Sequence, residues 1–532
     1  LGIVVMEWSS LKHAVVWFRG ILRLHDNPPF FNAANRHELQ TILPIYIIDE
    51  ADYPNGFSNM GDKRRKFLYD SLIDLDQSLR DEYGQGLTVF QGNPSNLLRM
   101  IFQNLGPGPN YLFTDYMSEP WKREELDNIE VQINEIGAET ISFPAVNTIL
   151  DIEETVMSGI YKNPKSMKDI QNILTHRLEN GPEGIIVGDP LPAPKSISYD
   201  SSAIQKLNSE TKISDQIVPQ AEIKRRSDLL GPSSYFPGGE TEALRRLKNK
   251  VSERRDFVNS FSKPKTLSTN EAGLPSEPST TGLSPYLSTG CLSPRVLWKE
   301  VTAANLGSKH TKPPTSLHGQ LMFREMFHLL SRSVNNWDDD KGNSNCKPIE
   351  WGQSDPEALY AWESGMTGFP LIDAMMRQLS TTGWMHHLGR HAVSCFLTRG
   401  QLWQNWKHGR DVFERKLLDS DWAVNNGNWL WLAGVAPFSM PYYRVYNPCP
   451  DGKSSLNVDA ANPEFIRHWV PELSSFPSKY IFEPHLAPID IQESSKCIIG
   501  LDYPLPIVDR KESRRVNIDS FKKNLARIAG KN

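Results

Sequence analysis

Over the first 145 residues, apolar runs alternate with helical patterns, and this alternation limits the chain more than any other feature. His13–Phe18, Leu43–Ile48, Leu87–Phe90, Tyr111–Thr114 and Thr140–Phe143 read as strands. Amphipathic helices fall between them, notably Lys66–Tyr83 and Pro94–Leu105. Strand–helix alternation predicts a parallel α/β sheet of Rossmann type. No Gly-x-Gly-x-x-Gly follows the first strand, so dinucleotide binding at that turn is unsupported.

The pattern then changes twice. From about Asn147 to Pro237 periodicity breaks down among Gly181-Pro182-Glu183-Gly184, Asp189-Pro190-Leu191-Pro192-Ala193-Pro194 and a Ser-rich segment. That composition reads as a connector lying across the surface between domains. From Gly238 onward the pattern is helical, without convincing strands. The expected organisation is an α/β domain over 6–146, a connector over 147–237, a helical domain over 238–505 and a terminal helix or tail over 506–532. In the tail eight Lys/Arg stand against Asp509, Glu512 and Asp519. Ile518, Phe521, Leu525 and Ile528 share one helical face there, which predicts a docked helix, with a partner-binding helix as the alternative.

Composition bounds the rest. A chain of 532 residues is long enough for two or more domains. Mean hydropathy of -0.46 and the lack of a long apolar run exclude a membrane-spanning helix. A net charge of -5 does not point to a protein living on nucleic acid, although a local basic groove is compatible with it. Cys291, Cys346, Cys395, Cys449 and Cys497 are scattered, so neither zinc nor a disulfide frame is implied and a reducing compartment is expected. Leu1–Val5 precede Met6 and are too short and too poor in basic residues for a signal peptide. Asp62-Lys63-Arg64-Arg65-Lys66 reads as a basic first turn of a solvated helix, with a nuclear signal as the alternative.

The chemistry concentrates between Trp351 and Trp431, which hold eight of the 14 tryptophans. Aliphatic residues would fill a core with fewer constraints, whereas indole offers stacking and one-electron oxidation. The stretch therefore reads as a redox or light site around a planar cofactor. Trp403 and Trp406, three apart, are expected side by side on one helix. His387 and His391 project from one helix face with Arg390 beside them, a pair able to move protons or bind metal, or simply to fill a core. Leu388 stands where a zinc-binding HExxH helix carries glutamate, so no metal is expected. Asp419 and Asp421 straddle Ser420 among tryptophans and need partners, for which Arg390 is the natural candidate. Thr280-Thr281-Gly282-Leu283-Ser284 offers clustered hydroxyls at a helix start, suited to a phosphate or to ordinary capping. Gln320 and Arg324 share a face and could contact phosphate, hold a carboxylate or sit at the surface.

These residues resemble a known family. Trp17-Phe18-Arg19-Gly20-Ile21-Leu22-Arg23-Leu24-His25-Asp26-Asn27-Pro28 is similar to the opening signature of the cryptochrome/photolyase flavoproteins. Thr281–Leu287, Gly383–His391 and Asp419–Trp431 match the same family, in order, from about residue 12 to 525. The resemblance implies an N-terminal α/β domain, a long linker and an all-helical domain holding FAD. It places Thr280, Thr281 and Ser284 at the pyrophosphate, and Gly282, Leu283, Gln320 and Arg324 along the cofactor. It puts His387, Arg390, Asp419, Ser420, Asp421, Asn425 and Asn428 around the flavin and its chain. Trp429, Trp406 and Trp351 match the electron-transfer triad and Trp403 its fourth member. The Gly383–His391 run is similar to the branch of animal cryptochromes and (6-4) photolyases. That implies a blue-light receptor signalling by flavin photoreduction, tied to circadian or other light-timing control in nucleus and cytoplasm through clock or light-signalling proteins. The alternative is a (6-4) photolyase with His387 and His391 as catalytic proton-transfer groups; DNA is otherwise a weak partner. A light-independent repressor on the same fold is a third reading. Phe323 and the segment Ala433–Pro441 depart from the repair pattern and favour the receptor, while Asn425 is shared with repair enzymes. No motif for an antenna chromophore is evident, and a homo-oligomer is left open.

Overall fold

The computed structural model describes residues 12–530 except 107, 182–183, 201–204, 206, 208, 264–267, 270–276 and 451–462. Residues 6–11, with which the expected first domain begins, and the Leu1–Val5 segment lie outside this range. Five parallel strands form one sheet: β1 His13–Trp17, β2 Thr41–Ile48, β3 Thr88–Gln91, β4 Asn110–Asp115 and β5 Ala138–Phe143, in the order β3-β2-β1-β4-β5. Val15 at the centre pairs with Leu43 on one side and Leu112 on the other. Because successive side chains alternate between faces, Val15 and Trp17 join one apolar cluster and Ala14 and Val16 the other. The second cluster is not confined to the sheet. It continues through Phe67, Leu68 and Leu72 of the helix Asp62–Tyr83 into Tyr286, Trp298 and the helical half of the chain.

The connector carries more structure than its composition predicts. Helices Ile152–Met157 and Met167–Arg177 pack against the helix Leu317–Ser333, and Gln220–Leu229 packs along Asp62–Tyr83. Their anchors are one or two buried aliphatics each: Ile152 in the first, Ile170 and Leu174 in the second and Ile223 in the third. Elements of six to eleven residues are too short to show a periodic stripe between prolines and glycines. The proline-rich part does run extended over the junction, where the Asp26 amide donates to Leu191 O, the Leu191 amide donates to the Asp26 carboxylate and Tyr83 donates to Pro194 O.

The basic first turn is also not a solvated one throughout. Arg64 is buried and donates to Asn55 Oδ1 (2.9 Å) and the Glu414 carbonyl, tying the α/β half to the helical half. The helical half contains Pro294–Asn305, Leu317–Ser333, Pro370–Thr382, His387–Cys395, Trp406–Lys416 and Trp422–Leu432. No described helix is long and apolar enough to cross a membrane.

The terminal helix Arg510–Ile528 starts on Asp509, whose carboxylate accepts the Lys511 and Glu512 amides at 2.9 and 2.8 Å. It docks, but by a partly different face from the one predicted. Asn517, Phe521 and Asn524 are buried, Ile518 and Leu525 are half-buried, and Ile528 is 41% exposed. The asparagines are held by polar partners: Asn517 donates to Gly400 O (3.1 Å), and Asn524 Oδ1 accepts the Glu350 amide (2.8 Å). Phe521 is the apolar anchor. Phe521→Ala is expected to cost about 3–5 kcal/mol locally, stripping hydrogen-exchange protection from 510–528 while the amides of the sheet stay protected.

Candidate cofactor site

The helical half surrounds a cavity of about 1580 Å³, counting its open mouth. Thr280, Thr281, Gly282, Leu283, Ser284, Gln320, Arg324, His387, Arg390, Asp419, Ser420, Asp421, Asn425 and Asn428 all border it, as do His391 and Trp429. Trp406, Trp351 and Trp403 do not.

One ion pair closes the ring. Arg390 donates bidentately to Asp419 (3.0 and 2.9 Å) and through Nε to Met385 O (2.8 Å). Ser284 Oγ donates to the same carboxylate at 2.7 Å. The histidine helix, the hydroxyl-rich segment and the loop before the tryptophan helix thereby meet at one carboxylate. The hydroxyls are not helix caps: the helix Ser284–Ser288 begins on Leu283, with no side-chain cap. Gly282 makes the bend, with φ +63° and a backbone packed so closely on Phe236 that a Cβ would stand 2.7 Å from its ring.

Asp421 serves the protein first. Its Oδ1 caps the helix Trp422–Leu432 by accepting the Val424 amide at 3.0 Å. Burial pushes its carboxyl up, but His328 Nε2 at 3.3 Å and Arg324 Nη2 at 3.7 Å more than offset this and hold it well below the usual range. Ser420 also turns outward in part, donating to Asn55 Oδ1 at 3.1 Å. Arg324 reaches the Asn147 and Leu287 carbonyls, and Gln320 donates to Pro314 O (3.1 Å). Asn425 and Asn428 spend their amide nitrogens on Arg410 O and Val424 O at 3.1 and 2.9 Å. That leaves their amide oxygens to meet a ligand donor.

The tryptophans are distributed from wall to surface. Trp429 is fully buried at the cavity, against Phe413 (centroids 5.0 Å apart) and Trp362 (6.4 Å). Gly409 makes room for it, since a Cβ there would lie 2.0 Å from the indole. Trp406 is buried under Arg410. Trp403 is not on the Trp406 helix. It sits in the preceding loop at φ +54°, held by its amide to Thr398 O (2.9 Å) and by its carbonyl accepting the Gly352 amide (2.9 Å). That turn lays its ring on Trp351, centroids 5.0 Å apart.

Sequence reasoning missed three polar groups. Lys263 borders the cavity with its amine pushed down to about 8 by burial and Arg390. His328 lies one turn after Arg324 and was legible from that spacing. Tyr446 meets His391 Nδ1 at 2.8 Å. Burial and the neighbouring Lys263 hold His391 down at about 3 and His387 far below the ordinary histidine value. Among the described residues no cluster of three or more His, Cys, Asp or Glu forms a metal set.

These shifts fix a pH dependence. Both imidazoles bind protons less readily folded than unfolded, so their contribution is complete above about pH 6.5 and is lost as pH falls below it. Thermal midpoints at pH 7.5, 6 and 5 should decline, with a shallower decline in His391→Gln.

The residues fit a flavin dinucleotide. Hydroxyls with Arg324, Lys263 and Arg390 provide charge-assisted donors for a pyrophosphate. Trp429, Leu321 and Leu417 supply apolar wall, and the buried Trp429 Nε1 has no partner among the described residues. Residues 316–523 match the family profile "FAD binding domain of DNA photolyase", and residues 14–195 match "DNA photolyase". Cryptochrome-1 of Gallus gallus is 37% identical over 517 residues, 96% of this chain and 78% of that protein. The (6-4) DNA photolyase of Arabidopsis thaliana is 37% identical over 522 residues, 95% of this chain and 87% of that protein. The crystal structure of a Synechocystis cryptochrome superposes with a TM-score of 0.78 at 25% identity, covering 96% of this chain and 99% of that one. The chain accordingly carries the family's FAD-binding domain, and this cavity offers a lining that fits FAD. Asp419→Asn leaves Arg390 without its counter-ion, and FAD affinity should fall about 10–100-fold, read by flavin fluorescence titration. The parallel sheet, the helical FAD domain and relatives at this identity over nearly the whole length establish that the chain belongs to the cryptochrome/photolyase family.

Proposed function

We propose that this protein is a blue-light receptor whose output element is the terminal helix. The observation that carries the reading is where that helix docks. Phe521 lies against both outer tryptophans, with centroids 6.3 Å from Trp351 and 6.2 Å from Trp403, and stacks on Tyr442 at 5.0 Å. Bound FAD supplies light absorption and a one-electron acceptor. With FAD bound, Trp429 at the cavity wall would be the electron donor and Trp406, Trp351 and Trp403 the residues that would refill it, which would leave the positive hole at the ring pair under the terminal helix. That helix is itself basic, with Lys/Arg at 510, 511, 514, 515, 522, 523 and 527 against Glu512 and Asp519. A new positive charge beneath it weakens docking by repulsion and biases a two-state element. Released, the helix would offer its surface to clock or light-signalling proteins in nucleus and cytoplasm. The net charge of -5 supports weak DNA binding.

A second reading, a (6-4) photolyase, is favoured by one observation. His387 and His391 border the cavity with ring centroids 5.9 Å apart. A histidine so averse to charge becomes a strong proton donor once protonated. Phe323 stacked on Trp431 (5.5 Å, 23°) lines the same cavity.

Light separates the two. Illumination of the FAD-loaded protein should reduce exchange protection at 510–528, and Trp403→Phe or Trp406→Phe should abolish that change. Reduced protein illuminated with DNA carrying (6-4) photoproducts should leave the lesions intact. Restored bases with an unchanged terminal helix would make it a repair enzyme.

A further inference from the structure

Arg399 sits at the cavity's rear and has no part in the site described above. It is 1% exposed and carries its charge without a carboxylate partner among the described residues. Nε donates to Leu432 O (2.9 Å), Nη1 to Tyr442 O (2.9 Å) and Arg444 O (2.7 Å), and Nη2 to Met440 Sδ (2.9 Å). Leu432 is cavity wall. The clamped segment Met440–Arg444 leads directly to Tyr446, whose hydroxyl is 2.8 Å from His391 Nδ1.

We propose that Arg399 is a positioning residue: by clamping the segment that carries Tyr446 it sets the proton of the neutral His391 on Nε2, presented to the cavity, and its buried cation adds to the burial and the Lys263 charge that oppose a second proton.

The tautomer follows from donor counting. Nδ1 of His391 is the one hydrogen-bond partner of the Tyr446 hydroxyl among the described residues, so the phenol proton goes to it. A ring nitrogen that accepts carries no proton, which leaves the N–H on Nε2, where no described residue competes for it. The field has the matching sign. Around His391 stand Lys263 from the segment before the hydroxyl-rich loop, His386, His387 and Arg390 on or next to its own helix, and Arg399 from the turn beyond it; Trp431 closes one side with centroids 5.7 Å apart. Tyr446 in turn faces Arg399, Arg444 and the Cys395 thiol. Cations oppose a second proton on the imidazole and favour a phenol that donates, because donation leaves negative charge on its oxygen. Nothing here depends on whether the protein signals or repairs: either use of the cavity meets a fixed N–H donor at this wall.

Ring nitrogen–proton correlation spectra of the FAD-loaded, nitrogen-15-labelled protein report both tautomer and titration. In the wild type His391 should be neutral with Nε2–H down to pH 5. Tyr446→Phe should give a mixture of tautomers, and Arg399→Lys, which keeps the charge but loses the fork, should do the same while His391 stays neutral at pH 6. Arg399→Gln, which keeps hydrogen bonding but loses the charge, should move the midpoint toward the ordinary value of about 6.5. An Nδ1–H tautomer in the wild type would overturn the proposal. So would unchanged spectra in Tyr446→Phe, or identical titrations in Arg399→Lys and Arg399→Gln.

Discussion

The two halves of this molecule are held by a lock of buried charges in the loop after β1, and the placing of every other element depends on it. Arg23 is fully buried and makes five hydrogen bonds, to the carbonyls of His25, Asp26, Val146 and Gly290 and to Asn147 Oδ1. Burial lowers its guanidinium to about 10 and the Asp26 and Glu240 carboxylates offset part of that, so it stays charged at neutral pH. Asp26 next to it takes Arg295 and Ser293 from the helical half, and Glu240 takes the Leu24 and His25 amides. Removing one partner from such a set strands the other in low dielectric, a cost of about 3–5 kcal/mol. The lock explains why one apolar cluster runs from the sheet into the helices: the inner face of the sheet has no solvent boundary to respect.

A fold that keeps a large cavity in its centre must hold the walls apart without filling them. Here polar ties do this, not apolar packing. Asp419 gathers Arg390 and Ser284, while Asp421 joins the start of the tryptophan helix to Arg324 and His328 on the facing helix. Such directional contacts fix spacing, whereas a purely aliphatic wall would collapse inward to recover lost contacts. The glycines work on the other side of the wall. Gly409 and Gly427 let Trp429 and Phe327 press against backbone, so the large rings pack outward into the bundle.

The five strands, the helical second half and the cavity residues were legible from the sequence because each is repeated locally, as an apolar run, a helical spacing or a clustered motif. What escaped is non-local. The connector helices are anchored by one or two aliphatics each, below the threshold at which a period can be seen. Trp403 follows helical spacing to Trp406, but Thr398 and Gly352 claim its backbone and turn it out of the helix. The terminal helix buries two asparagines that hydropathy assigns to solvent, because their amides meet a carbonyl and a backbone N–H that exist only in the folded chain. Tyr446 lies 55 residues from His391, and no local pattern links them.

The link between the cavity wall and the outer indole pair has its physical basis in one irregular turn. The histidine helix does not end at Cys395 but widens into a π-turn over Phe396–Gly400, where Thr398 leaves helical geometry at φ -98° and ψ -110°. A regular helix would satisfy those carbonyls internally. Widening frees them for other elements: Thr398 O takes the Trp403 amide, and Gly400 O takes Asn517 of the terminal helix. Inserted turns of this kind are retained where they serve a function. Here one kinked stretch borders the cavity through His387 and Arg390, meets the outer indole pair where Thr398 O takes the Trp403 amide, and meets the terminal helix where Gly400 O takes Asn517. The kink at Thr398 lies between the cavity residues and the other two contacts, so its geometry sets how the three are spaced.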